Sequence, residues 1–183
     1  GRVVGPAGGG RPVTPREIAR QPISVAPANR YFSYASMVIP SNDAFISNGN
    51  PTAHEVFDAS GNFLGPLTFV VAGSEIVDAG TEDNTEMEAA FINQTGPDMG
   101  DATIGGVAAL HPGYIGSLGN PGGTSIILGG TTAAATTVDP AAADFTLPGF
   151  QLVRITISQI PEPTSLALAG LGLVLWGVGR KTR

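Results

Sequence analysis

The strongest constraint on this chain is its final stretch. Pro161-Glu162-Pro163 is followed by residues 164–179, which carry no charged side chain, and then by Arg180, Lys181 and Arg183. As a helix that run would be about 24 Å long, slightly under the roughly 30 Å hydrocarbon core of a bilayer. A buried core helix is the plainer reading of such a length. The flanks favour a membrane. Prolines fence off the start, and cations at one end are what a cytoplasm-facing stop needs. A segment of this kind is withdrawn from the fold, so the rest of the chain must supply its own core.

That remainder suits one domain. Glycine (26 residues) and proline (15) are abundant, while charged residues make up only 13%. Frequent turns disfavour long helices and point to short strands, so an all-β fold is expected. The absence of cysteine excludes a disulfide, a thiolate–metal site and a cysteine nucleophile. Every Lys and Arg lies before Tyr31 or after Val153, whereas acids recur from Asp43 to Asp144, and the net charge is −6. Such a body has no cations with which to neutralise phosphates, which excludes nucleic acid as a partner. A divalent cation suits it better. The plainer alternative is an acidic surface kept for solubility.

Residues 1–29 form a Pro/Gly/Arg-rich segment, read as flexible. They show no charged n-region, apolar h-region or small-residue cleavage site. Residues 31–39 are aromatic and β-branched enough for a buried strand, stopped by the turn Pro40-Ser41-Asn42-Asp43. Further strands are expected at residues 44–46, 67–72, 75–77, 107–110, 124–128 and 151–158. Residues 55–57 and 62–64 flank a hairpin turn at Asp58 to Gly61. Residues 131–144 are an Ala/Thr run, expected to be irregular.

Two resemblances stand on these residues. The order Pro-Glu-Pro, apolar run, basic end over residues 161–183 closely resembles the PEP-CTERM sorting tail. That likeness implies an exported protein, anchored in the inner membrane by a C-terminal transmembrane helix. It also implies an exosortase-type processing enzyme as a partner, and a cell-surface or extracellular destination. The run Ser36-Met37-Val38-Ile39-Pro40-Ser41-Asn42-Asp43-Ala44-Phe45, followed by Asp78-Ala79-Gly80-Thr81-Glu82, is similar to the spondin domain. His111-Pro112-Gly113, Asp144-Phe145 and Pro148-Gly149 fit its bacterial branch. The likeness runs over residues 30–160. It implies an antiparallel, C2-like β-sandwich that holds calcium in loops at one end and serves adhesion or matrix recognition. Family members carry strands ahead of residue 31, where this chain has its Pro/Gly/Arg segment, so the sandwich is expected to lack its first strands.

The acidic loops have the layout a calcium site needs, since calcium takes six to eight oxygen ligands from carboxylates and carbonyls. Asp43 follows one strand and Asp78 ends another. Gly80 lets the backbone curl back, and Glu82 returns a second carboxylate to the loop. Asp43, Asp78 and Glu82 carry over from the spondin motif; Asp83 joins them by adjacency. The alternative is that Asp43 and Asp78 bond their own turns. His54 and His111 have no catalytic motif around them. His54 reads as a surface residue and His111 as part of a turn, so no enzyme is expected. Three functions remain in play. The first is a calcium-binding adhesion or matrix module. The second is a hydrolase of extracellular polysaccharide using carboxylates between Glu75 and Glu88. The third is an envelope protein without a ligand.

Overall fold

The computed structural model describes residues 14–160. Residues 1–13 and the tail lie outside that span. So do Pro161, Glu162, Pro163, Arg180, Lys181, Arg183 and the expected transmembrane helix. Among the described residues no helix is long and apolar enough to cross a membrane.

Among the described residues strands are the main regular element and helix is almost absent. The elements are β1 (Tyr31–Phe32), β2 (Ala35–Met37), β3 (Ala44–Ser47), β4 (His54–Glu55), β5 (Leu67–Ala72), a 3-10 turn (Gly73–Glu75), β6 (Val77–Asp78), β7 (Ala109–Leu110), α1 (Pro140–Ala143) and β8 (Gln151–Ile157). Four strands form one sheet in the order β2-β3-β6-β7, while β1 pairs with β4 and β5 with β8. All of these pairings are antiparallel.

The β5–β8 ribbon is where side-chain chemistry most directly dictates structure. Both strands are rich in β-branched residues, and Phe69 faces Ile155 while Val71 faces Val153. On the outer face Thr68 and Thr156 meet hydroxyl to hydroxyl at 3.0 Å, a pairing that stabilises an antiparallel register. The inner face joins a core that also takes Ala44 and Ile46 from β3. Within β3 the alternation is the period-two pattern of a strand, with Ala44 and Ile46 buried and Phe45 and Ser47 half-exposed.

Much of the core comes from outside the strands. Ile76, Ala89, Ile92, Tyr114, Ile127, Val138 and Phe145 are buried in the same cluster. Tyr114 keeps its hydroxyl satisfied by donating to the Pro40 carbonyl at 2.9 Å.

Several expectations are corrected here. Residues 31–39 form two short strands instead of one buried strand, and β2 is exposed along its length. It is an edge strand, with β3 on one side only. Residues 124–128 are not a strand. Their N–H groups are taken by side chains: Ile126 and Ile127 donate to Glu86, and Leu128 donates to Ser125 Oγ. Residues 73–75 turn before β6 begins, and the Glu75 carboxylate accepts the Ala72 N–H at 2.7 Å. The Ala/Thr run contains α1, capped by Asp139 accepting from Ala141 N at 3.0 Å and opened by Pro140. Residues 14–30 form no regular element.

Candidate acidic site

Asp43 closes the turn that leads into β3, and Asp78 is the last residue of β6. The register places Ala44 opposite Asp78, and Ala79 N donates to the Asp43 carbonyl at 3.3 Å. Two acids separated widely in sequence therefore stand side by side at one end of the four-stranded sheet.

Asp43 is only 9% exposed. Its Oδ2 accepts the Thr81 N–H at 2.6 Å, the Thr81 hydroxyl at 2.9 Å and the Glu82 N–H at 2.9 Å. Its Oδ1 is buried and has no hydrogen-bond partner. Asp78 adjoins it: with both groups ionised neither can donate to the other, and the two side chains hydrogen-bond only when they share a proton. Burial pushes the Asp43 carboxyl up. The bonds from Glu82 and Thr81, and a hydrogen bond shared with the Asp78 side chain, outweigh that and hold it below the usual carboxylate range.

Asp78 bonds its own turn, with Oδ1 accepting the Gly80 N–H at 2.6 Å. Its Oδ2 accepts from the Asn84 side-chain amide. Gly80 makes the turn feasible. Its φ is +68°, and a Cβ there would lie 2.7 Å from the Val107 backbone. Asp43 does not bond its own turn; it caps a loop that lies 38 residues further along.

The other two candidates diverge. The Glu82 carboxyl meets the Asn42 side chain. Burial, with help from Asp43 and Asp98, raises it above its ordinary value against the opposing pull of Asn42. Asp83 is exposed and turned to a different loop, where Oδ1 accepts the Thr103 hydroxyl at 2.6 Å. Asp43 and Asp78 are thus brought together, with Glu82 at their flank and Asp83 apart. Among the described residues no three His, Asp or Glu side chains gather as a ready-made metal set.

The imidazoles do structural work. His54 is half-buried, with its ring stacked on Phe69 at 3.8 Å between centroids, so it is not the surface residue expected. His111 shapes a turn, its Nδ1 accepting the Gly113 N–H at 3.0 Å. Burial keeps it below the usual histidine range, against the attraction of Asp78, Asp43 and Glu86.

Glu86 is the residue that sequence reasoning missed. It is 4% exposed. Its Oε1 accepts the Ile115 N–H at 2.7 Å, and its Oε2 accepts from Ser125 Oγ, Ile126 N and Ile127 N at 2.9, 2.7 and 3.0 Å. Its own N–H donates to Asn42 Oδ1 at 3.1 Å. A buried carboxylate here organises glycine-rich loops that carry no local signal of order. Nothing in the acidic run separates it from its neighbours.

Comparison with known proteins finds one family. Residues 159–183 match the PEP-CTERM protein-sorting motif. The motif marks an exported protein that is anchored at the membrane and sorted by an exosortase. No curated protein and no solved structure matches the chain, and the one matching family model covers the tail alone, so the comparisons give no support for a spondin domain in the body.

Proposed function

We propose that the chain delivers to the cell exterior a non-catalytic adhesion or matrix module that holds calcium between Asp43 and Asp78. The observation that carries the reading is the buried Oδ1 of Asp43, which has no donor when Asp43 and the adjoining Asp78 are both ionised. A buried carboxylate oxygen without a donor is costly, and a cation bridging the two acids removes both that cost and their repulsion. Asp43 and Asp78 would supply the charge, with Glu82 at the edge of the site. Backbone carbonyls and water would complete the six to eight oxygens calcium requires. With few carboxylates the affinity belongs in the weak range of extracellular modules, about 10⁻⁴ to 10⁻³ M.

The test is titration of the 183-residue chain with calcium, followed by calorimetry and thermal unfolding. A rise in melting temperature at millimolar calcium, lost in Asp78→Asn, is the expected result. Unchanged melting at ten times that concentration would leave the ligand-free envelope protein as the reading.

A polysaccharide hydrolase is the second reading, and one observation favours it. Glu82 is held above and Asp43 below the ordinary carboxyl range, and a split of this kind suits an acid and its partner base. Neither of the two described cavities is lined by Glu82 or Asp43, which weighs against it. Turnover on a panel of glycans, abolished by Glu82→Gln, would establish it.

A further inference from the structure

The β5–β8 ribbon opens at one end. Its register shifts between Val71 and Ala72; beyond that point the 3-10 turn leaves on one side and residues 145–150 approach on the other. Between them lies a cleft of about 320 Å³, lined by Gly73, Ser74, His111, Phe145, Leu147 and Phe150 among others. That volume is at the lower end of small-ligand sites, roughly 300–1,000 Å³. Its floor is rigid. Gly73 packs so closely that a Cβ would lie 1.9 Å from the Phe145 carbonyl oxygen, and Gly73 N donates to Phe150 O at 3.0 Å.

His111 stands between this cleft and a smaller cavity lined by Asn42, Asn84 and Glu86, and is shared by both. Because His111 Nδ1 accepts the Gly113 N–H, the neutral ring carries its proton on Nε2. Edge-to-face contacts with Phe145 at 5.4 Å and Tyr114 at 6.3 Å fix the ring's orientation. Nε2 has no partner among the described residues and is not among the sealed polar atoms. The Ser74 hydroxyl is exposed at the rim. Phe145, Leu147 and Phe150 supply the apolar wall.

Charge selects the ligand. No Lys or Arg lies between Arg30 and Arg154, and none lines the cleft, so an anion would find no counter-charge. No carboxylate lines it either, so a cation would fare no better. A neutral molecule with hydroxyls on its edge and a C–H face on its side fits both the donors and the wall. We infer that this cleft binds one unit of an uncharged saccharide, with His111 and Ser74 on its hydroxyls and Phe150 and Leu147 on its C–H face. The inference rests on the chain being delivered outside the cell, and it gives the proposed matrix partner a chemical class.

The test is saturation-transfer NMR on the 183-residue chain, kept in a sugar-free polyoxyethylene detergent, with cellobiose and glucuronate as probes. EDTA is present throughout, so the outcome is independent of the proposed calcium site. Transfer to cellobiose but not to glucuronate is expected. His111→Asn, which keeps an acceptor for Gly113 N, is expected to weaken binding about tenfold, the equivalent of one hydrogen bond. Leu147→Trp, which fills the cleft and leaves His111 in place, is expected to abolish it. No transfer to cellobiose in the unaltered chain overturns the inference. So does equal transfer to glucuronate, or binding that survives Leu147→Trp.

Discussion

The Asp43 carboxylate accepts the backbone N–H of Glu82 at 2.9 Å across 39 residues of chain. With the two bonds from Thr81, this contact pins the acidic loop to the turn before β3. Asp43→Ala leaves three donors facing an apolar side chain and is expected to cost about 2–4 kcal/mol, whereas Asp43→Asn keeps an acceptor and costs about 1 kcal/mol. Urea unfolding without added calcium reads both. Equal losses would mean that the carboxylate's acceptor role has been overstated.

Glu86 offers a sharper contrast between charge and acceptor. Glu86→Ala orphans the N–H groups of Ile115, Ile126 and Ile127 and the Ser125 hydroxyl. A loss above about 4 kcal/mol is expected, together with faster amide exchange across residues 113–127. Glu86→Gln retains one carbonyl oxygen and is expected to lose about half as much. Calcium has no contact with this residue in the proposed site, so calcium stabilisation of the Gln variant should match that of the unaltered chain.

These two carboxylates show what the sequence discloses. Asp43 is legible because it follows a strand-like run and a Pro-Ser turn, both local patterns. The pairing of Asp43 with Asp78 follows once β3 and β6 are recognised as strands. Glu86 is illegible because its partners lie in connectors between residues 115 and 127, and no period or propensity marks a loop ordered by a distant side chain. The strand expected at residues 124–128 failed for the same reason: its apolar run is real, but Glu86 and Ser125 take its donors. β8 is legible because its alternation runs through seven residues, and β5 because six apolar and β-branched residues stand between turn-forming glycines. β1 and β7 fall within the strands expected at residues 31–39 and 107–110, shortened to two residues each, while β4 at His54–Glu55 is set by its pairing with β1.

The sorting tail yields a prediction independent of the fold. Replacing Pro161, Glu162 and Pro163 by alanine removes the matched tripeptide while leaving the apolar run and the basic end intact. The chain should still reach the membrane but remain unprocessed there. Membrane fractionation, with intact mass measured on the released and retained pools, checks this. Release of a shortened chain at the normal level would show that the tripeptide is not what the processing enzyme reads.

Acidification tests the buried imidazole. Burial holds His111 below the ordinary value of 6.5, so between that value and its own lower one the unfolded chain binds more protons than the folded chain. Stability therefore rises with pH in that window and is lost as pH falls through it. The attraction of Asp78, Asp43 and Glu86 opposes the shift without reversing it. Urea midpoints measured from pH 7 down to pH 5 should decline. His111→Asn keeps the Gly113 bond but has no proton to take up, and its decline over the same range should be shallower. Parallel slopes for the two proteins would place the pH dependence elsewhere, with Asp43 and Asp144 the next groups to test. Both are held below the ordinary carboxylate range, so their contribution is present above the ordinary aspartate value and is lost only at more acidic pH, as their own depressed values are crossed.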